Sequence, residues 1–137
     1  MNAPHPALSL AVWLGLALEM VNQIDRWHRL ADGGYEPYGP SFVRAHLLAY
    51  AGALVTLVGL AACTATSQRN TRRWASAALA GSVVHLLGLA ADVPYHLATA
   101  DSEVAHLVGN AGLAVEVAAL VCLTRLLLIN RRSTRHL

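Results

Sequence analysis

The chain has 137 residues, about one domain by length, and 55% of them are hydrophobic while only 13% are charged. A mean hydropathy of +0.45 is outside the range of an ordinary soluble domain and makes the membrane the first hypothesis. All ten basic residues are Arg, and a formal net charge of +2 provides no basic surface of the kind that recruits nucleic acid.

In chain order, four apolar segments reach the roughly 20 residues that cross a bilayer: Ala7 to Trp27, Phe42 to Cys63, Trp74 to Tyr95 and Val104 to Leu128. No positive residue precedes the first and no A-x-A cleavage site follows it, so it is expected to remain as a helix rather than be removed as a signal peptide. The connection behind it, Arg29 to Pro40, holds three Gly and two Pro and reads as a loop. The second connection, Ser67 to Arg73, is polar and basic, and the third, around Ala98 to Ser102, is short. Cys63 and Cys122 lie in apolar runs without C-x-x-C spacing and read as small hydrophobes packed between helices.

Orientation follows from the arginines, because cytoplasmic loops carry the basic excess. Arg69, Arg72, Arg73, Arg131, Arg132 and Arg135 fall at one membrane face, against Arg26, Arg29 and Arg44 at the other. This predicts an all-α integral membrane four-helix bundle, one domain over 1–137, with both termini in the cytoplasm and a prokaryotic cytoplasmic membrane as its setting. The chain also echoes itself. Asp25-x2-His28 and His46 recur as Asp92-x3-His96 and His106, and His46-Leu-Leu-Ala-Tyr-Ala-Gly52 shares His, Leu, Ala and Gly at matching offsets with His106-Leu-Val-Gly-Asn-Ala-Gly112. Two tandem helix hairpins are expected, repeat one over about 7–63 and repeat two over about 74–128, related by an axis along the membrane normal. Abundant Gly and Ala in all four segments predict close helix contacts.

The polar residues fall into two layers. Asp25, His28, His46, Asp92, His96 and His106 lie near the extracytoplasmic ends of the segments. Glu19, His85 and Glu116 lie nine to eleven residues from the outer histidine of their own segment, about 13 to 17 Å deeper at helical rise. Ionisable groups at that depth usually face the bundle interior and mark function. His85, Asp92 and His96, seven and four residues apart, stack on one helix face. Glu19, by contrast, is nearly opposite His28 and about 120° from Asp25 on a straight helix, so the three cannot all point inward. Pro94 removes a backbone donor and tends to kink or end the third helix between Asp92 and His96.

Imidazole and carboxylate together suit copper(II), non-haem iron and zinc, in that order of expectation here, and a carboxylate can either ligate or orient a ligating histidine. The six outer residues are the candidate metal ligands, as one rich site or as two of His/His/Asp type. Glu19, His85 and Glu116 are candidates for catalytic proton transfer or for a second metal. Asp92-x3-His96 followed by His106 resembles the D-x3-H…H copper motif of the membrane C subunit of particulate methane and ammonia monooxygenases. The likeness spans about fifteen residues of a chain much shorter than that subunit, and Asp25-x2-His28 departs from the spacing. What it implies is copper and oxidative chemistry on small or lipophilic molecules.

The leading expectation is therefore a metal-dependent membrane oxidoreductase working at the extracytoplasmic side. The alternatives are a non-enzymatic metal-binding or delivery protein, as an accessory subunit or homo-oligomer, a b-haem electron carrier, and a metal-free acid/base lipid isomerase. The aspartates count against haem, and the lack of Met or Cys on the outer side counts against a soft copper(I) conduit.

Overall fold

A computed structural model of the chain describes residues 6–33, 46–98 and 102–133. Among the described residues the secondary structure is entirely helical, in four helices: α1 (Pro6–Ala31), α2 (Leu47–Thr66), α3 (Arg69–Leu97) and α4 (Glu103–Ser133). Three of them, α2, α3 and α4, are long and apolar enough to cross a membrane. α1 is 26 residues long, and among its described residues an apolar stretch runs over Ser9–Asn22.

The helix ends follow from local chemistry. At the start of α4 the Ala105 N–H donates to Ser102 Oγ at 3.2 Å, and Glu103 in the first turn faces the positive end of the helix dipole. The expected loop from Ser67 to Arg73 shrinks to Ser67 and Gln68. The Gln68 carbonyl accepts from Thr71 N at 3.0 Å and Arg72 N at 2.7 Å, while Arg72 Nε donates to the Ser67 carbonyl at 3.1 Å. Those bonds let three arginines open α3, where the helix dipole alone would disfavour them. Pro94 does not stop α3, which runs on to Leu97, and the Ala98 N–H closes the end onto the Pro94 and Tyr95 carbonyls, both at 3.0 Å. Past α1, the chain turns through Gly33 at φ 69°, a left-handed conformation that glycine adopts freely. Most of the Gly- and Pro-rich connection lies outside the described residues.

The buried faces combine small, polar and ionisable residues. The buried face of α3 reads Thr71, Ala75, Ala78, Gly81, Ser82, His85, Gly88, Asp92 and His96, and that of α2 reads Ala49, Gly52, Ala53, Thr56, Gly59, Leu60 and Cys63. Large apolar side chains point outward instead, among them Leu10, Val58, Val104 and Leu107, each about two-thirds exposed or more. In water such a surface would drive aggregation, whereas hydrocarbon solvates it without cost.

Among the described residues α1 packs on α2, α3 on α4, and α2 on α3, with few close approaches between α1 and α4. Small residues set the close approaches. A methyl group built on Gly15 of α1 would meet the Gly52 carbonyl at 2.6 Å and Thr56 N at 2.8 Å. One on Gly81 of α3 would meet the Gly112 carbonyl at 2.7 Å and Glu116 N at 2.6 Å. Toward the end of the bundle that holds the α2–α3 turn, Val12, Leu60, Cys63, Ala75, Ala78, Ala119, Leu120 and Leu123 form an apolar core.

Candidate metal centre

At the other end of the bundle, α3 and α4 bring three donor groups together. Asp92 and His96 lie one turn apart on the buried face of α3, and His96 Nε2 is 2.8 Å from Asp92 Oδ2. His106, from the first turns of α4, places its own Nε2 2.8 Å from the same oxygen. The two imidazoles face each other with ring centroids 5.6 Å apart and planes at 53°. Asp92 and His96 are buried, whereas the His106 side chain is 35% exposed and forms the accessible rim. The other carboxylate oxygen, Asp92 Oδ1, is buried and meets no hydrogen-bond donor.

Asp92, His96 and His106 each offer one ligand atom, and these atoms lie within 4.8 Å of one another. Donors sharing one metal at 2.0 to 2.2 Å sit roughly 3.0 to 3.5 Å apart, so the two 2.8 Å contacts would open by about half an ångström while the two imidazole nitrogens, within 4.8 Å of each other, draw onto the same ion. The exposed ring of His106 has room for that movement. The unsatisfied Oδ1 fits the same reading, because a buried carboxylate oxygen without a donor is costly and a cation removes the cost.

The other outer residues are placed differently. Asp25 and His28 are exposed on α1 and stand outside the converging group. Helical phase accounts for this: Glu19, nearly opposite His28, is the residue that α1 buries. His46 is buried at the start of α2 and lines a cavity with Asp92 and His106 without being one of the three convergent donors.

The inner residues form a second polar group. Glu19, His85 and Glu116 are all buried, Glu116 completely. His85 Nδ1 donates to the Gly109 carbonyl at 2.9 Å, and its Nε2 lies 3.0 Å from Glu19 Oε2. Ser82 is the hydroxyl beside Glu116, yet neither side chain completes a hydrogen bond. Among the described residues this group does not bring three ligand atoms to one point, as the outer group does. Gly109, whose carbonyl fixes the His85 ring, is the functional position that residue chemistry alone misses. Its only signal in the sequence is its place between His106 and Gly112.

A cavity of about 280 Å³ joins the two groups, lined by Glu19 and Trp13 of α1, His46 of α2, His85 and Asp92 of α3, and His106 of α4, with mostly apolar residues between them. A smaller, apolar groove of about 170 Å³ runs between α1 and α4 toward Thr124 and Leu128. Protein-family models, curated proteins and solved structures return no match to this chain.

Proposed function

We propose that the protein is an integral membrane metalloprotein that holds one transition-metal ion on Asp92, His96 and His106 and acts as a metal-dependent oxidoreductase on a small or lipophilic molecule. The observation that carries this reading is the convergence of two imidazole nitrogens on one buried carboxylate oxygen, each at 2.8 Å, at the wall of a cavity. Two imidazoles and one carboxylate, with no sulfur donor, suit copper(II) or non-haem iron, with zinc a redox-inactive third. Either of the first two supplies one-electron redox chemistry when bound. The protein's own residues divide the remaining work. Asp92 holds both imidazoles in one orientation, His96 is the fixed ligand, and His106 is the ligand with freedom to move. The largely apolar cavity wall favours a lipophilic guest.

The arginines of the α2–α3 turn support an extracytoplasmic position for the Asp92 end, because that turn lies at the opposite end of α3. The matching glycine contacts at Gly15 with Gly52 and at Gly81 with Gly112 support the two-hairpin repeat, in which Glu19 and His85 occupy corresponding positions four residues further on. Among the described residues only the second copy brings its His/His/Asp set together. A second reading, a metal-binding subunit without catalysis, is favoured by one feature. The scarcely packed seam between α1 and α4 is a surface that a second copy or a partner membrane subunit would cover.

Purified protein reconstituted with copper(II) provides the test. Electron paramagnetic resonance is expected to show coupling to two imidazole nitrogens, with one nitrogen lost in His96→Ala, and lipophilic substrates are expected to accelerate oxygen consumption. A Soret band in the visible spectrum would instead establish haem. Metal without turnover on any lipophilic substrate would leave the binding subunit as the surviving reading.

A further inference from the structure

Glu19, His85 and Glu116 are three buried ionisable side chains for which metal binding at Asp92 has no use. Their hydrogen bonds dictate a proton count. The Gly109 carbonyl can only accept, so His85 Nδ1, 2.9 Å away, carries a hydrogen. A neutral imidazole then presents a bare Nε2. That nitrogen lies 3.0 Å from Glu19 Oε2, and two lone pairs at this separation repel unless a proton lies between them. Glu19 and His85 therefore share one proton, as imidazolium with carboxylate or as imidazole with carboxylic acid. Glu116, wholly buried, completes no hydrogen bond at either oxygen among the described residues, with Glu19 and His85 near enough to act on its charge. An ionised carboxylate so buried is costly, and a proton removes the cost.

Access to the group runs along the outer cavity. The cavity that reaches Glu19 and His85 also reaches Asp92 and His106 at its outer end. The ionisable groups around the shared proton are Glu19 from α1, His46 at the start of α2, Asp92 on α3 itself, and Glu116 and His106 from α4. In the opposite direction the next layer is the apolar core of Val12, Leu60, Cys63, Ala75, Ala78, Ala119, Leu120 and Leu123. We infer that Glu19, His85 and Glu116 form a proton-exchange site that loads from water and releases to it through the outer cavity, with the apolar layer beneath it resisting exchange from the other end. The inference does not depend on metal at Asp92, and it is tested on metal-free protein.

The experiment is nitrogen-15 NMR of the full chain in detergent with labelled histidine, His85 being assigned by the signal lost in His85→Asn. The expected result is a His85 ring protonated at Nδ1 throughout the accessible pH range, with a second proton at or bonded to Nε2. In Glu19→Gln that second proton is expected to be replaced by an amide hydrogen, and the chain to bind one proton fewer over a titration begun above the pH at which the site empties. In Glu116→Gln a further proton is expected to be lost. Exchange of the shared proton with deuterium is expected to slow at least tenfold in Ala49→Leu and Leu89→Trp, which fill the cavity. In Leu120→Ala, which loosens the apolar layer, it is expected to stay within about twofold. The Nδ1–H signal itself reports that α3 and α4 remain packed in each variant. A bare His85 Nδ1, an unchanged proton count in Glu19→Gln, or exchange indifferent to both cavity-filling variants would each overturn the inference.

Discussion

Replacing Gly88 by alanine tests the packing that carries both polar groups. A methyl there would run into the backbone of Gly109 at its Cα and N, and would meet the Ala105 carbonyl at 2.9 Å. None of these atoms belongs to a flexible side chain, so α4 has to move away as a body. Overpacking of this kind costs about 1 to 3 kcal/mol. A shift of about 1 Å would also take the His85 bond to the Gly109 carbonyl from 2.9 Å past hydrogen-bonding reach, adding about 1 kcal/mol or more for a buried group left unpaired. The sum is about 2 to 4 kcal/mol, a fall in melting temperature on the order of 10 °C for a chain of this size. Gly109→Ala is the control, since its added methyl finds its nearest neighbour at 3.7 Å, ordinary contact. The assay is thermal unfolding in detergent followed by circular dichroism. If Gly88→Ala melts with Gly109→Ala and both match the parent chain, the close approach of α3 and α4 is wrong, and the geometry of both sites with it.

Further outcomes follow from the same structure. Leu60→Ala, at a fully buried position, is expected to cost about 2 to 5 kcal/mol through the cavity it leaves, whereas Val58→Ala, 67% exposed on the opposite face two residues away, should cost little in the same melting experiment. Because Asp25 and His28 are exposed and outside the convergent group, Asp25→Ala and His28→Ala should leave copper affinity within about twofold by isothermal titration, while His106→Ala should weaken it on the order of a hundredfold, one ligand's share of a typical site. Copper affinity is expected to fall as the pH is lowered, since protons compete for the imidazole nitrogens that ligate; affinity that rises on acidification would rule out imidazole ligation. In a background lacking Cys63 and Cys122, Gln68→Cys in the α2–α3 turn should react with a membrane-impermeant thiol reagent only from the cytoplasmic side, and labelling from outside would invert the proposed orientation.

Much of the fold was legible because membrane helices must satisfy their backbones internally and announce themselves as long apolar runs. The 7- and 4-residue spacing of His85, Asp92 and His96 marked the buried face of α3, since helical periodicity alone decides which side chains share a face. The same arithmetic marked the conflict on α1, and the structure resolves it by burying Glu19 while leaving Asp25 and His28 exposed. What the sequence could not supply was the partner set. That two imidazoles share one oxygen of Asp92, and that His85 spans Glu19 and the Gly109 carbonyl, depends on how α3 and α4 approach. Backbone contacts at Gly81, Gly88 and Gly112 set that approach, and composition shows only that small residues are present. Pro94 tended to read as a break, yet α3 runs past it to Leu97, and the Ala98 N–H closes that end onto the Pro94 and Tyr95 carbonyls.

The most direct test of the central claim is the metal content of the full chain purified in detergent, measured by mass spectrometry after reconstitution and removal of loose ions. About one copper or iron per chain is expected in the parent protein and in His28→Ala, falling severalfold in Asp92→Ala, His96→Ala and His106→Ala. Fewer than about 0.2 ions per chain in the parent, or the same content in all four variants, would contradict a metal centre on Asp92, His96 and His106.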